Sequence, residues 1–206
     1  MSNTDNLVFR MSPLIEPLHD AFGYARHRLE TLGIATGEDK RWLRTAHYRS
    51  EVFDYLNTHA VEGWTIDDKR HSQNGAIHLT HADNDLALRV LREAPTPGRV
   101  PCAGSSKRRR AYYRNSPCGQ LGLWGQPTNM SHNLLTLWEE NGNDTSLRLV
   151  RPIGVGSVLR GVPIDLSVDL PRLRTDFENM RFEILDEDLD EVTVNYEEAD
   201  GSGTSA

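Results

Sequence analysis

The sequence predicts an α+β protein: an N-terminal helical pair packed on a mainly antiparallel sheet of about five or six strands, with a long irregular basic loop and a mobile acidic C-terminal tail. Three observations carry this expectation. Apolar residues recur at spacings of three and four as far as Leu32, the period shortens to two from Trp64 onward, and apolar runs flank the turn dipeptide Asn141-Gly142.

The first helix is expected over residues 13–32. Ser12 suits the N-cap and Pro13 the first helical position. Ile15, Leu18, Phe22, Ala25, Leu29 and Leu32 then form one stripe, which Gly33 ends. The stripe reads as a face packed on the domain core, with a dimerising coil, and hence a homodimer through helix 13–32, as the sharper alternative. A second helix follows Thr36, with Trp42, Ala46, Phe53, Leu56 and Ala60 on one side and Gly63 as its stop. Arg49 falls on that stripe, marking either a break or a meeting with an acidic group. The pair reads as a plain αα-hairpin and not a DNA-reading helix-turn-helix, because neither helix gathers base-reading side chains.

Residues 76–81 and 86–92 flank the polar turn Ala82-Asp83-Asn84-Asp85 and read as a hairpin. A second hairpin is expected over residues 132–151. A two-residue turn at Asn141-Gly142 would set Glu139 against Asp144, which repel; a four-residue loop instead pairs Glu140 with Thr145. In either register Leu134, Thr136 and Trp138 share a core face with Leu147 and Leu149, while Leu135, Leu137 and Val150 call for partial cover on the other. Residues 162–170 alternate apolar with mostly polar positions, and 181–185 offer another short strand. The chain is therefore read as one domain over residues 1–185, with a helical part (12–63) and a β-rich part (64–185), followed by an acidic tail over 186–206.

Residues 94–131 interrupt the β-rich part. Five prolines (Pro95, Pro97, Pro101, Pro117, Pro127) and five glycines (Gly98, Gly104, Gly119, Gly122, Gly125) leave little room for regular structure, and so long a connection is usually functional or disordered. The charge is asymmetric too. Residues 165–206 hold 13 acidic and 3 basic side chains, a net of −10, against +3 for residues 1–164. Arginine supplies 20 of the 23 basic residues, so any anion would meet planar guanidinium forks. No run of 18 apolar residues exists and no secretory leader is apparent near residue 1, which points to a cytoplasmic protein without a membrane span, its Cys102 and Cys118 reduced.

The densest chemical signal is Ser105-Ser106-Lys107-Arg108-Arg109-Arg110-Ala111-Tyr112-Tyr113-Arg114. Residues 107–114 carry five positive charges and no acid, and Ser105 or Ser106 could cap a short helix. Free amides beside guanidinium groups make an anion site, with Tyr112 and Tyr113 free to stack on bases. The run is not a Walker A motif. Nucleic acid, DNA or RNA, is the natural ligand; the blander reading is a solvated loop, or one that meets the chain's own acidic tail.

Other chemistry is weaker. His78 and His81 in HLTH would point to opposite faces of a strand, so neither they, with His71 nearby, nor Cys102, Cys118 and His132 form a recognisable metal pattern. There is no nucleophile elbow and no dinucleotide fingerprint, since Gly154-Val155-Gly156 lacks the third glycine; no cofactor is expected. Asp83, Asp85 and Glu93 are the carboxylates a metal-dependent nuclease or hydrolase would use. The expectation is a non-enzymatic regulatory or accessory binding protein acting through residues 105–114. The alternatives are a protein-protein adaptor and that hydrolase. The acidic tail, where Val192, Val194 and Tyr196 alternate, is solubilising or an internal competitor for the basic loop.

Overall fold

The structure, a computed structural model, describes residues 3–33, 40–96, 98–115, 132–142, 144–157 and 159–180. Two helices, α1 (Asn3–Thr31) and α2 (Arg41–Thr58), lead into a six-stranded sheet: β1 (Trp64–Ile66), β2 (Ile77–His81), β3 (Leu86–Arg92), β4 (His132–Asn141), β5 (Asp144–Pro152) and β6 (Ile164–Asp169). Three short helices, α3 (Asp68–Asn74), α4 (Lys107–Tyr112) and α5 (Arg174–Glu178), punctuate it. The strands lie side by side in chain order. This is the α+β architecture expected. The candidate strand 181–185 and the tail 186–206 lie outside the described residues.

Helix α1 begins about three turns before the expected start, and Pro13 and Pro17 both lie inside it. Ser12 is accordingly no N-cap: its hydroxyl donates back to the Val8 carbonyl at 2.8 Å. An internal proline costs a helix about 3 kcal/mol by removing a hydrogen bond and crowding the preceding turn. Here burial of Leu7 and Met11 upstream holds the helix together through both sites. The expected stripe is covered by the chain's own core. Leu14, Ile15, Leu18, Phe22, Ala25 and Leu29 are all buried, which leaves none of them for a dimerising coil, and Leu32 lies beyond the helix end, exposed.

Helix α2 turns Tyr48, Val52, Phe53 and Leu56 inward. Trp42, expected on that face, is 71% exposed, because the true stripe runs through Tyr48 and not through Trp42 and Ala46. The helix passes unbroken through Arg49, whose buried Nε finds no hydrogen-bond partner among the described residues.

The sheet's first face meets α1 and α2. Trp138 is its centre, with the Phe22 ring 5.4 Å and the Tyr48 ring 4.9 Å away, and Arg92 lies 5.1 Å over the indole. Glu140 at the end of β4 is clasped by Arg44 at 2.6 Å and Arg92 at 3.5 Å. The β4–β5 hairpin adopts the register that pairs Glu140 with Thr145 and Trp138 with Leu147. Four of the five strand pairings are antiparallel; β3 and β4 run parallel. A hairpin cannot join parallel neighbours, so the long connection after β3 is the crossover that this pairing needs.

The second face is covered by that connection. Val100, Ala103 and Tyr113 pack on Leu135, Leu137 and Val150, the partial cover the sequence called for. Asn115 anchors its descent: the side-chain amide donates to the carbonyls of Asn133 (2.9 Å) and Pro152 (2.6 Å), and its oxygen accepts from the Asn133 amide (2.8 Å). Further along, β6 carries an extra residue, since Arg151 pairs with Leu166 and Pro152 with Ile164. The residue left over is Asp165, and this bulge brings its carboxylate onto the guanidinium of Arg151, both side chains almost wholly buried.

A candidate anion-binding site on the second sheet face

Residues 107–112 form helix α4, only six residues long, and Ser106 at its N-cap makes no side-chain cap bond. So short a helix adds little dipole, and the charge here is that of its side chains. Lys107, Arg108, Arg109 and Arg110 are exposed, as are Ser105, Ser106 and Arg114. Among the described residues no carboxylate pairs with any of these five cations. Elsewhere ten arginines, Arg10, Arg26, Arg28, Arg44, Arg70, Arg92, Arg148, Arg151, Arg172 and Arg174, each have an acidic partner within 4 Å, whereas Arg41, Arg49, Arg89 and Arg160 have none among the described residues.

The tyrosines hold α4 down, and Tyr113 offers no stacking platform, while Tyr112 is half-buried at the edge of the groove beside α4. Tyr113 is fully buried, and its hydroxyl donates to the Pro101 carbonyl at 2.8 Å. The Tyr112 hydroxyl reaches the carbonyls of Leu134 (2.8 Å) and Ala87 (3.0 Å), on the neighbouring strands β4 and β3. Burial pushes both phenols up, Tyr113 to about 12. Their expected role is thus corrected: an amphipathic side chain beside a charged helix was the residue best able to bury its ring and bond its tip to the sheet.

Beside α4 a groove of ≈570 Å³ opens onto the sheet. Arg108, Arg109 and Ser106 form one wall, Arg70, Gln73 and Asn74 of α3 the other, and His78 and Arg89 lie between them; among the described residues no acidic one lines it. His78 and Arg89 are directly opposed on β2 and β3. Arg70, whose guanidinium also pairs with Asp67 at 3.0 Å, donates to His78 Nδ1 at 2.9 Å, which fixes His78 as the neutral Nε2–H tautomer. Burial, then the charges of Arg89 and Arg70, push His78 down to about 4. Arg89 has its Nε buried with no hydrogen-bond partner among the described residues, and burial together with Arg109 lowers its pKa.

The candidate nuclease carboxylates lie elsewhere. His81, Asp83 and Asp85 bring ligand atoms within 4.8 Å of one another, but Arg10 of α1 sits among them. Its guanidinium bonds Asp85, reaches Asp83 at 3.5 Å and meets His81 Nδ1 at 3.0 Å. The hydrogen bond and charge of Arg10 hold Asp85 below the usual carboxylate range. The protein's own cation therefore compensates this cluster. Glu93 is apart, paired with Arg148. His78 and His81 do take opposite faces, and Cys102 is a half-buried free thiol; Cys118 lies outside the described residues.

The groove itself was not foreseen. Its residues come from separate stretches of the chain, and the one signal for it is Arg89, a charged residue inside the otherwise apolar run 86–91 of β3. Among the described residues no helix is long and apolar enough to cross a membrane. No family model, curated protein or solved structure matches the chain.

Proposed function

We propose that the chain is a non-enzymatic binding protein that engages a polyanion, nucleic acid above all, through the cationic surface of α4 and Arg114. The observation that carries this reading is the contrast in charge compensation. Ten arginines elsewhere are held by carboxylates, while Lys107, Arg108, Arg109, Arg110 and Arg114 stand exposed with no acidic partner among the described residues. Exposed, uncompensated cations gathered on one turn of helix release counterions from a phosphate backbone when they bind it. With both tyrosine hydroxyls bonded within the protein, the contact is chiefly to phosphates, so sequence preference should be slight.

The test is fluorescence anisotropy of a labelled oligonucleotide titrated with the full chain and with a variant carrying Arg108→Ala, Arg109→Ala and Arg110→Ala. The wild-type chain binds in a salt-sensitive manner and the variant binds more weakly with a shallower salt dependence, with its thermal melt unchanged because the three side chains are exposed. Equal affinity of the two proteins would reject the reading.

A further inference from the structure

The surface of α4 suits any phosphate chain, but the groove beside it is more selective. It is recessed, it has no acidic wall among the described residues, and the groups around Arg89 include donors: the guanidinium groups of Arg108 and Arg109, the Ser106 hydroxyl and Nε2–H of His78. At the floor, the Arg89 Nε is buried and makes no hydrogen bond among the described residues. A buried guanidinium N–H without an acceptor is costly, and an anion entering the groove could complete it. Arg49, whose Nε is likewise buried without a hydrogen-bond partner among the described residues, adds its charge from α2.

The number of cations decides which phosphate fits. An internal phosphodiester has one charge and two free oxygens. A phosphate monoester has three terminal oxygens and about −1.5 to −2 charges at neutral pH, and guanidinium forks bind such a group bidentately. A space of ≈570 Å³ also exceeds what a bare phosphate fills and falls within the usual size for a small-molecule site.

We infer that the groove seats the phosphomonoester of a nucleotide, either a nucleic-acid terminus or a free mononucleotide, with Arg89 and Arg109 gripping the phosphate and Arg89 setting the preference for a monoester. This rests on the polyanion reading above and narrows it to one end group.

The experiment uses the full chain and one oligonucleotide sequence made with a 5′-phosphate, a 3′-phosphate or hydroxyl ends, together with nucleoside 5′-monophosphate as competitor. A phosphorylated end binds about ten- to a hundred-fold more tightly than the hydroxyl form, the worth of one charge-assisted contact. Arg89→Gln abolishes that difference while leaving the hydroxyl-ended oligonucleotide's affinity in place. Arg109→Gln, on the exposed helix, serves as the second variant should Arg89→Gln fail to fold: it lowers the affinity for hydroxyl ends as well, through the lost α4 contact, and narrows the ratio between phosphorylated and hydroxyl ends. Displacement by mononucleotide at concentrations near the oligonucleotide's Kd identifies the free nucleotide as the source. Where the phosphorylated end binds more tightly than the hydroxyl form, retained binding under that competition identifies the terminus. Equal affinity for all ends, with no mononucleotide binding, overturns this inference and leaves the salt-sensitive polyanion reading standing. Mononucleotide binding that Arg89→Gln removes, with no oligonucleotide binding at all, supports the seat and rejects the wider reading.

Discussion

Arg89 on β3 stands directly opposite His78 on β2, two cationic side-chain types paired across an antiparallel ladder, and among the described residues no acidic one lines the groove they share. Arg70 donating to His78 Nδ1 keeps that imidazole neutral, so the pair does not repel as two charges would. The arrangement leaves Arg89 as an uncompensated charge in a partly dry setting, and its removal should not weaken the fold. Arg89→Gln is expected to leave stability unchanged or to raise it by about 1 kcal/mol in urea denaturation, the cost of a buried unsatisfied group being on the order of 1–3 kcal/mol. A drop of about 2 kcal/mol or more, the size expected when a structural interaction is broken, would show that Arg89 serves the fold.

The buried pair of Arg151 and Asp165 should behave in the opposite way. Asp165→Asn leaves the Arg151 charge enclosed and should cost about 3–5 kcal/mol, whereas Arg151→Met combined with Asp165→Leu should recover most of that loss. Chemical denaturation of the three proteins measures both. A single variant as stable as wild type would mean the pair is open to water.

Tyr113 is the peg that fastens α4 to the sheet, through a buried ring and a bond to Pro101. Tyr113→Phe should cost about 1 kcal/mol and leave binding intact. Tyr113→Ala should cost about 3–5 kcal/mol and loosen the connection after β3, seen as faster amide exchange across residues 99–115. Unchanged exchange in Tyr113→Ala would show that the segment is held by something other than this ring.

The fold should also weaken on mild acidification. Burial is the leading cause that pushes His19, His71, His78, His81 and His132 below the ordinary 6.5, His78 to about 4. A histidine whose folded pKa is depressed is protonated first in the unfolded chain, so stability is intact above pH 6.5 and falls as pH drops from there toward the folded value. The loss is at most about 1.4 kcal/mol per pH unit for each such group. Around His78 the neighbouring charged or titratable groups are Arg70, Arg89, Asp67 and Tyr112, and only Asp67 favours its protonation. Urea midpoints at pH 7.5 and 5.0 should differ, and His78→Gln should shrink the difference; the same drop in both proteins would remove His78 from the account.

Much of this architecture was readable in the sequence where local chemistry and tertiary packing agree. Repulsion between Glu139 and Asp144 favours the observed β4–β5 register on sequence grounds alone, because cross-strand neighbours leave few options. The start of α1 was misplaced because Ser12-Pro13 is a good local signal that tertiary burial of Leu7 and Met11 overrides. Helix α3 escaped notice since two turns are too few for a 3.6-residue period to register. Its Asp67 cap, accepting from the Arg70 amide at 3.0 Å, and Gly75 at φ 63° were the marks it left. For the site, the basic cluster was plain, but the roles of Tyr112 and Tyr113 depended on where β3 and β4 would lie. Aligning the two strands of the first hairpin would have set His78 against Arg89; nothing in the sequence says that α3 and α4 then flank them.

The most direct measurement is the salt dependence of oligonucleotide binding by the full chain and by the Arg108→Ala, Arg109→Ala, Arg110→Ala variant. If these cations are open to a polyanion, log K falls linearly with log salt for the wild-type chain. For single strands the variant's slope is shallower by about 2, close to 0.7 for each phosphate that no longer meets an arginine. Identical slopes for the two proteins would contradict the account.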